Sequence, residues 1–120
     1  MFGVGLSREL EGEFREAVAF LSGLKPEFTV AVDIPSGICS ETGRILGAAV
    51  EADLTVTFGY EKVGTALYPG KGYCGRVEVK AIGFPGYDGY SGTRFFTYAT
   101  SDLSRFTPRM QGCHKGTYGK

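Results

Sequence analysis

The chain has 120 residues, and its 13 Lys+Arg against 13 Asp+Glu leave no formal net charge. That length fits one small domain or part of a larger one, and the balance excludes a basic nucleic-acid surface and an acidic solvated tail. With 42% hydrophobic and 22% charged residues the composition is that of an ordinary folded protein, without the roughly 18 consecutive apolar residues of a membrane span or a signal-peptide start.

Nineteen glycines, aperiodic and set between apolar runs, point to tight loops. Cys39, Cys74 and Cys113 form no CxxC pair, which argues against a zinc site and for a reduced, cytoplasmic compartment. His114 is the single histidine, so multi-histidine metal sites are excluded.

The segment from Phe2 to Glu9 is a glycine-rich turn leading into a helix. Phe14, Val18 and Leu21, with Ala17 and Leu24, recur at helical spacing, and Gly23 and Pro26 are stop signals. The spacing predicts a helix over Glu11 to Ser22. Phe28 to Ile34 (FTVAVDI) reads as a strand covered on both faces, as in a parallel sheet, and Pro35 ends it. Asp33 then lies at the strand's carboxyl end, where open α/β sheets bind ligands. Ile38 to Ala52 is a connection with a Thr42-Gly43 turn. Leu54 to Phe58 (LTVTF) is a second strand, and Tyr60 to Tyr73 reads as a loop carrying Lys62. Arg76 to Ile82 is a third strand whose alternation suggests a partly solvated edge. Gly83 to Gly92 reads as a linker. Phe95, Phe96, Tyr98 and Phe106 form an aromatic cluster suited to core or interface packing. Three strands and one helix make a thin parallel sheet with an exposed edge, so the chain is expected to be a fragment or to need a partner piece.

Four segments in order carry a resemblance. They are Gly3-Val4-Gly5-Leu6-Ser7-Arg8 with Leu10-Glu11-Gly12; Val32-Asp33-Ile34-Pro35-Ser36-Gly37; Ala52 to Gly59; and Lys62 and Gly64 with Pro69-Gly70. Together they resemble the C-terminal half of the NAD(P)H-hydrate epimerase domain. The tail, Thr107-Pro108-Arg109 and His114 to Lys120, is similar to the opening of the ADP- or ATP-dependent NAD(P)H-hydrate dehydratase domain, the two being fused in bifunctional repair enzymes.

The resemblance implies an α/β fold: part of a Rossmann-like three-layer sandwich with a mainly parallel sheet, then a linker and the opening of a ribokinase-like domain. The implied divisions are residues 1–83, 84–101 and 102–120. It also implies an isomerase acting on NADHX and NADPHX, the hydrated forms of NADH and NADPH. Potassium is the implied cofactor, its site incomplete because the family's partner Asn and Asp ligands have no counterpart in this sequence; the Asn-Asn-Gly-Gly-Asp loop that helps bind the nucleotide has none either. Expected partners are the small-molecule substrate and a second copy or the missing half, with no nucleic acid and no membrane. The alternatives are a non-catalytic Rossmann-like scaffold and a truncated product without activity of its own.

Each candidate residue has a functional and a plainer reading. Asp33 is the candidate catalytic and substrate-binding carboxylate, an acid/base or a ring-orienting ligand; the plainer reading is a cap for the following turn. Gly3, Val4, Gly5, Leu6, Ser7, Arg8 and Glu9 match the family's substrate loop, whose glycines let backbone N–H groups approach phosphates; otherwise they are a strand-to-helix turn. Ser36 aligns with a potassium ligand, or is a turn serine after proline. Lys62 follows the second strand's carboxyl end, placed to meet a phosphate or carboxamide, or is an exposed loop lysine. His114 and Lys115 are given no catalytic role.

Overall fold

The computed structural model describes residues 5–84, 95, 100–105, 111–114 and 116. The chain divides into two compact units, Met1–Tyr90 and Ser91–Lys120.

The first unit is an α/β fold around a three-stranded, wholly parallel sheet. Helix α1 spans Gly12–Gly23, within one residue of the expected bounds at each end. Strands β1 (Val30–Val32), β2 (Leu54–Phe58) and β3 (Arg76–Lys80) lie in the order β1-β2-β3. In register, Val30 faces Leu54 and Leu54 faces Arg76. The central strand carries the most β-branched run and matches its predicted bounds.

β1 is shorter than FTVAVDI suggests. At its start, Asp53 Oδ2 accepts the Thr29 N–H at 2.7 Å, so the backbone there is tied to a side chain. At its end, Asp33 leaves the extended region with φ 70°. The strand is not covered on both faces either: Val30 is 52% and Val32 66% exposed. β3 is the other edge of the sheet, as its alternation predicts. Arg76, Glu78 and Lys80 share one face, with Glu78 bonded to Arg76 at 2.7 Å and to Lys80 at 2.8 Å.

Two connections do the packing. After β1 the chain folds into a small hairpin, where Cys39 N–H donates to Arg44 O (2.9 Å), Leu46 N–H to Gly37 O (2.8 Å), and Ile38 bridges Ile45. Gly43, φ 72°, forms its tip, where the sequence places a turn. After β2, the segment read as a loop holds a short helix α2 (Val63–Ala66) and a 3₁₀ turn (Gly70–Tyr73). Ile34, Ile38 and Ala49 form the core with Ile45 and Tyr73 packed against it. Helix α1 joins through Val18, which is fully buried, and through Ser22, whose hydroxyl donates to Ala49 O at 2.6 Å.

The connections interlock by close backbone approach. A Cβ on Gly37 would stand 1.9 Å from Ala48 O, and Gly37 has φ 95°. A Cβ on Gly64 would stand 2.2 Å from Cys39 O. Gly64 N–H donates to Ser40 O and Gly70 N–H to Gly43 O. A side chain at Gly64 would force the two connections apart, whereas one at Gly37 would collide within the first connection, on Ala48 and Ala49.

In the second unit the described residues include a 3₁₀ helix, Thr100–Arg105, with Arg105 Nε 3.6 Å from Asp102 Oδ1. Phe95 is 74% exposed; Phe96, Tyr98, Phe106 and most of the expected linker lie outside the described residues. Among the described residues, no helix is long and apolar enough to cross a membrane.

Candidate functional site

The carboxyl ends of β1 and β2 close in the same way. Ile34 N–H donates to Val32 O (2.9 Å) around Asp33, and Tyr60 N–H donates to Phe58 O (2.8 Å) around Gly59. Their φ angles are 70° and 71°. These are three-residue turns of the strained, positive-φ kind. Glycine adopts this conformation freely, whereas a side chain there carries a penalty on the order of 1–3 kcal/mol. Asp33 is the sole positive-φ residue other than glycine among the described residues. A strained residue at a strand's carboxyl end in a parallel sheet is an observation that points toward function.

Several contacts hold the Asp33 side chain. Lys62 Nζ lies 2.5 Å from Asp33 Oδ1, with the side chains 19% and 18% exposed respectively. Thr57 Oγ1 is 3.2 Å and the Phe58 backbone nitrogen 3.3 Å from the same oxygen. The Asp33 N–H continues the ladder to Val56 O at 2.7 Å. Lys62 also donates to Thr57 Oγ1 and to Phe58 O, both at 2.9 Å. Its three ammonium hydrogens therefore meet three acceptors. Burial by itself pushes the Asp33 carboxyl up, but the Lys62 ammonium, the Phe58 N–H and the Thr57 hydroxyl together hold it below its ordinary value of 3.8. At neutral pH the group is an anion, with Oδ1 taking all these contacts and Oδ2 none of them.

Of the residues singled out from sequence, Asp33 and Lys62 are brought together. Lys62 is not an exposed loop lysine; its charge is spent on Asp33, Thr57 and Phe58. Gly5, Ser7, Arg8 and Glu9 are exposed and Leu6 half-buried, and they supply none of the hydrogen bonds to Asp33 or Lys62. Gly3, Val4 and Lys115 lie outside the described residues. Ser36 lines a separate open groove of about 610 Å³, with Leu21, Leu24, Val30 and Val32 among its neighbours. Its carbonyl accepts the Val50 N–H at 3.0 Å.

Among the described residues no three Asp, Glu, His or Cys side chains gather in metal-binding geometry. Cys39, Cys74 and Cys113 are not joined in disulfides, and the first two are buried. His114 accepts the Gly116 N–H on Nδ1.

Sequence reasoning missed Thr57 and the Phe58 N–H. The signal for Thr57 was present: two threonines at period 2 in an otherwise apolar strand share one face, and a buried hydroxyl needs a partner.

Comparison with known proteins places the chain in a family. The profile described as "YjeF-related protein N-terminus" matches residues 1–64. The bifunctional NAD(P)H-hydrate repair enzyme Nnr of Thermofilum pendens is 42% identical over the whole chain, which covers 22% of that relative. That of Moorella thermoacetica is 35% identical, again over the whole chain and 23% of the relative. The NAD(P)H-hydrate epimerase of Levilactobacillus brevis is 41% identical over 88 residues, 73% of this chain and 40% of the relative. The chain thus spans less than half the length of each of these relatives. With its profile match running through the hairpin and the Asp33–Lys62 site, the chain belongs to the YjeF-related N-terminal family, that of the NAD(P)H-hydrate epimerases.

Proposed function

We propose that this chain supplies the reacting carboxylate of an NAD(P)H-hydrate epimerase, an isomerase that interconverts the R and S forms of hydrated NADH and NADPH. The observation that carries the reading is Asp33 itself: a strained carboxylate at the sheet's carboxyl edge, held ionised by Lys62, Thr57 and the Phe58 N–H. Epimerising a carbinolamine-like carbon requires a group to leave that carbon and return on the other face. As a base, the anion takes the proton of the ring-borne hydroxyl while the ring carbon–nitrogen bond opens to an aldehyde, the electron pair passing onto the conjugated nitrogen, and returns that proton when the nitrogen recloses on the other face. A carboxylate held below its ordinary range is unsuited to the acid role.

Lys62 then keeps Asp33 charged and aimed, in place of meeting a phosphate. The phosphates fall to the loop from Gly3 to Glu9, whose exposed glycine-bearing backbone remains available at Gly5 and beyond. Ser36 would contribute one oxygen to a potassium site completed by donors beyond those described, and no step is routed through that ion.

The test is interconversion of R and S hydrated NADH by the full-length gene product and its Asp33→Asn variant. Asn tolerates positive φ, so the fold is retained. The rate is expected to drop by roughly 10²-fold or more, the usual contribution of a positioned proton-transfer group. Parental turnover in Asp33→Asn would sink the reading. A second reading, a scaffold that recruits a strand, is favoured by the half-exposed valines of β1. It predicts self-association or partner capture that is indifferent to Asp33→Asn.

A further inference from the structure

The two threonines of β2 present the same problem with different solutions. Thr55 and Thr57 are both fully buried, and a buried hydroxyl without a partner is destabilising by about 1–3 kcal/mol. Thr55 donates to Cys74 O at 2.7 Å, a plain structural contact. Thr57 instead sits between two charges. Lys62 Nζ has only hydrogens to offer, so it donates to Thr57 Oγ1 at 2.9 Å. The single Thr57 proton is left for an acceptor. The Asp33 carboxylate takes it at 3.2 Å, with Tyr60 O a weaker alternative at 3.5 Å. With Lys62 bonded to Asp33 as well, the three polar atoms close a ring. Register explains the meeting: Val32 faces Val56, so the next residue of each strand end is Asp33 and Thr57.

We propose that Thr57 is a positioning residue for the epimerisation: its buried hydroxyl locks the Asp33 carboxylate to Lys62 through Oδ1, leaving Oδ2 as the oxygen that meets the substrate. The proposal rests on the reading of Asp33 as the reacting carboxylate. Val has nearly the same shape as Thr, so Thr57→Val removes the hydrogen bonds and little else. Lys62, from the segment after β2, is the charged group that bears on Asp33, while Thr57 and the Phe58 N–H are the neutral donors to its carboxylate. Losing one donor raises the carboxyl's titration midpoint.

The experiment uses the full-length gene product with Thr57→Val, Thr57→Ser and, as a control on the same face, Thr55→Val. Two readouts are taken: kcat and KM for hydrate epimerisation against pH, and titration of the Asp33 carboxyl carbon by NMR. Thr57→Val is expected to lower kcat about tenfold, a tenth or less of what positioned acid/base groups supply, with KM little changed. The acid limb and the NMR midpoint are expected to move up by roughly half a pH unit, within the range that neighbouring groups impose. Thr57→Ser restores both. Thr55→Val loses stability and leaves both unmoved. An unchanged midpoint and rate in folded Thr57→Val would overturn the proposal, as would a matching shift in Thr55→Val. If Thr57→Val does not fold, Thr57→Cys, with its weak S–H donor, is read by the same criteria. If the parent protein shows no epimerisation, the functional reading fails, and the NMR midpoint still decides whether Thr57 positions Asp33.

Discussion

The two sides of the first unit are built differently. The connections after β1 and β2 are close-packed: Ile34, Ile38, Gly64 and Gly70 are buried, and backbone lies against backbone with no room for a Cβ. The side formed by α1 and β1 is open. In α1 only Val18 is buried, while Phe14 is 61% and Phe20 69% exposed, and the β1 valines face out. The difference teaches where the order of the site comes from. Asp33 and Lys62 are aimed by the interlocked connections and by β2, and α1 is attached mainly through Val18 and Ser22.

That contrast can be broken most severely at Gly37. Gly37→Val places a side chain on Ala48 O in a positive-φ backbone. The expected loss is about 3–5 kcal/mol, combining steric overlap with backbone strain, read as a fall in denaturant midpoint or as failure to fold. A smaller effect is expected for Lys62→Met. It leaves a half-buried carboxylate without its cation and should lower stability at neutral pH by about 1–3 kcal/mol, less than for a fully buried pair because both groups touch solvent.

The pH dependence sharpens the same test. The folded Asp33 carboxyl titrates below its unfolded value of 3.8. Its contribution is thus fully present above the unfolded value and is lost as pH falls through the lower folded one. Lys62→Met should flatten that acid limb in stability measurements. A parental acid limb in the variant would show that Lys62 does not set the charge of Asp33.

Strain at Asp33 is probed by comparing Asp33→Gly with Asp33→Ala. Both remove the carboxylate, but glycine accepts φ 70° and alanine does not. Asp33→Gly is expected to be the more stable by about 1 kcal/mol, measured by urea unfolding; equal stabilities would remove the strain from the account. The smallest effect belongs to the open side. Phe20→Gln should change stability by no more than about 0.5 kcal/mol, and a larger loss would mean that α1 is more tightly covered than its exposure indicates.

Legibility followed the range of the interactions. The run LTVTF between Asp53 and Gly59 marks β2 with its correct bounds, because β-branched residues and a glycine stop act locally. The helix is legible for the same reason. β1 is shorter than its apolar run suggests, since the Thr29 N–H is claimed by Asp53 and the backbone leaves the extended region at Asp33, whose carboxylate is held by Thr57 and Lys62, and these partners lie more than twenty positions away. The short helix at Val63–Ala66 was read as loop. It is only one turn long and is held by the hairpin through Gly64, not by its own periodicity.

By itself, the sequence determined the α/β class, the parallel strands, the family and the placement of Asp33 at a strand's carboxyl end. Strand propensity, proline and glycine punctuation and ordered motifs are all local properties of the chain. Only the tertiary structure decided that Lys62 is a partner of Asp33, that Thr57 completes the ring between them, and that Ser36 lines a different groove. Those facts follow from strand register and from two loops meeting backbone to backbone, and no local pattern encodes the distance between side chains that the chain separates by 24 or 29 residues.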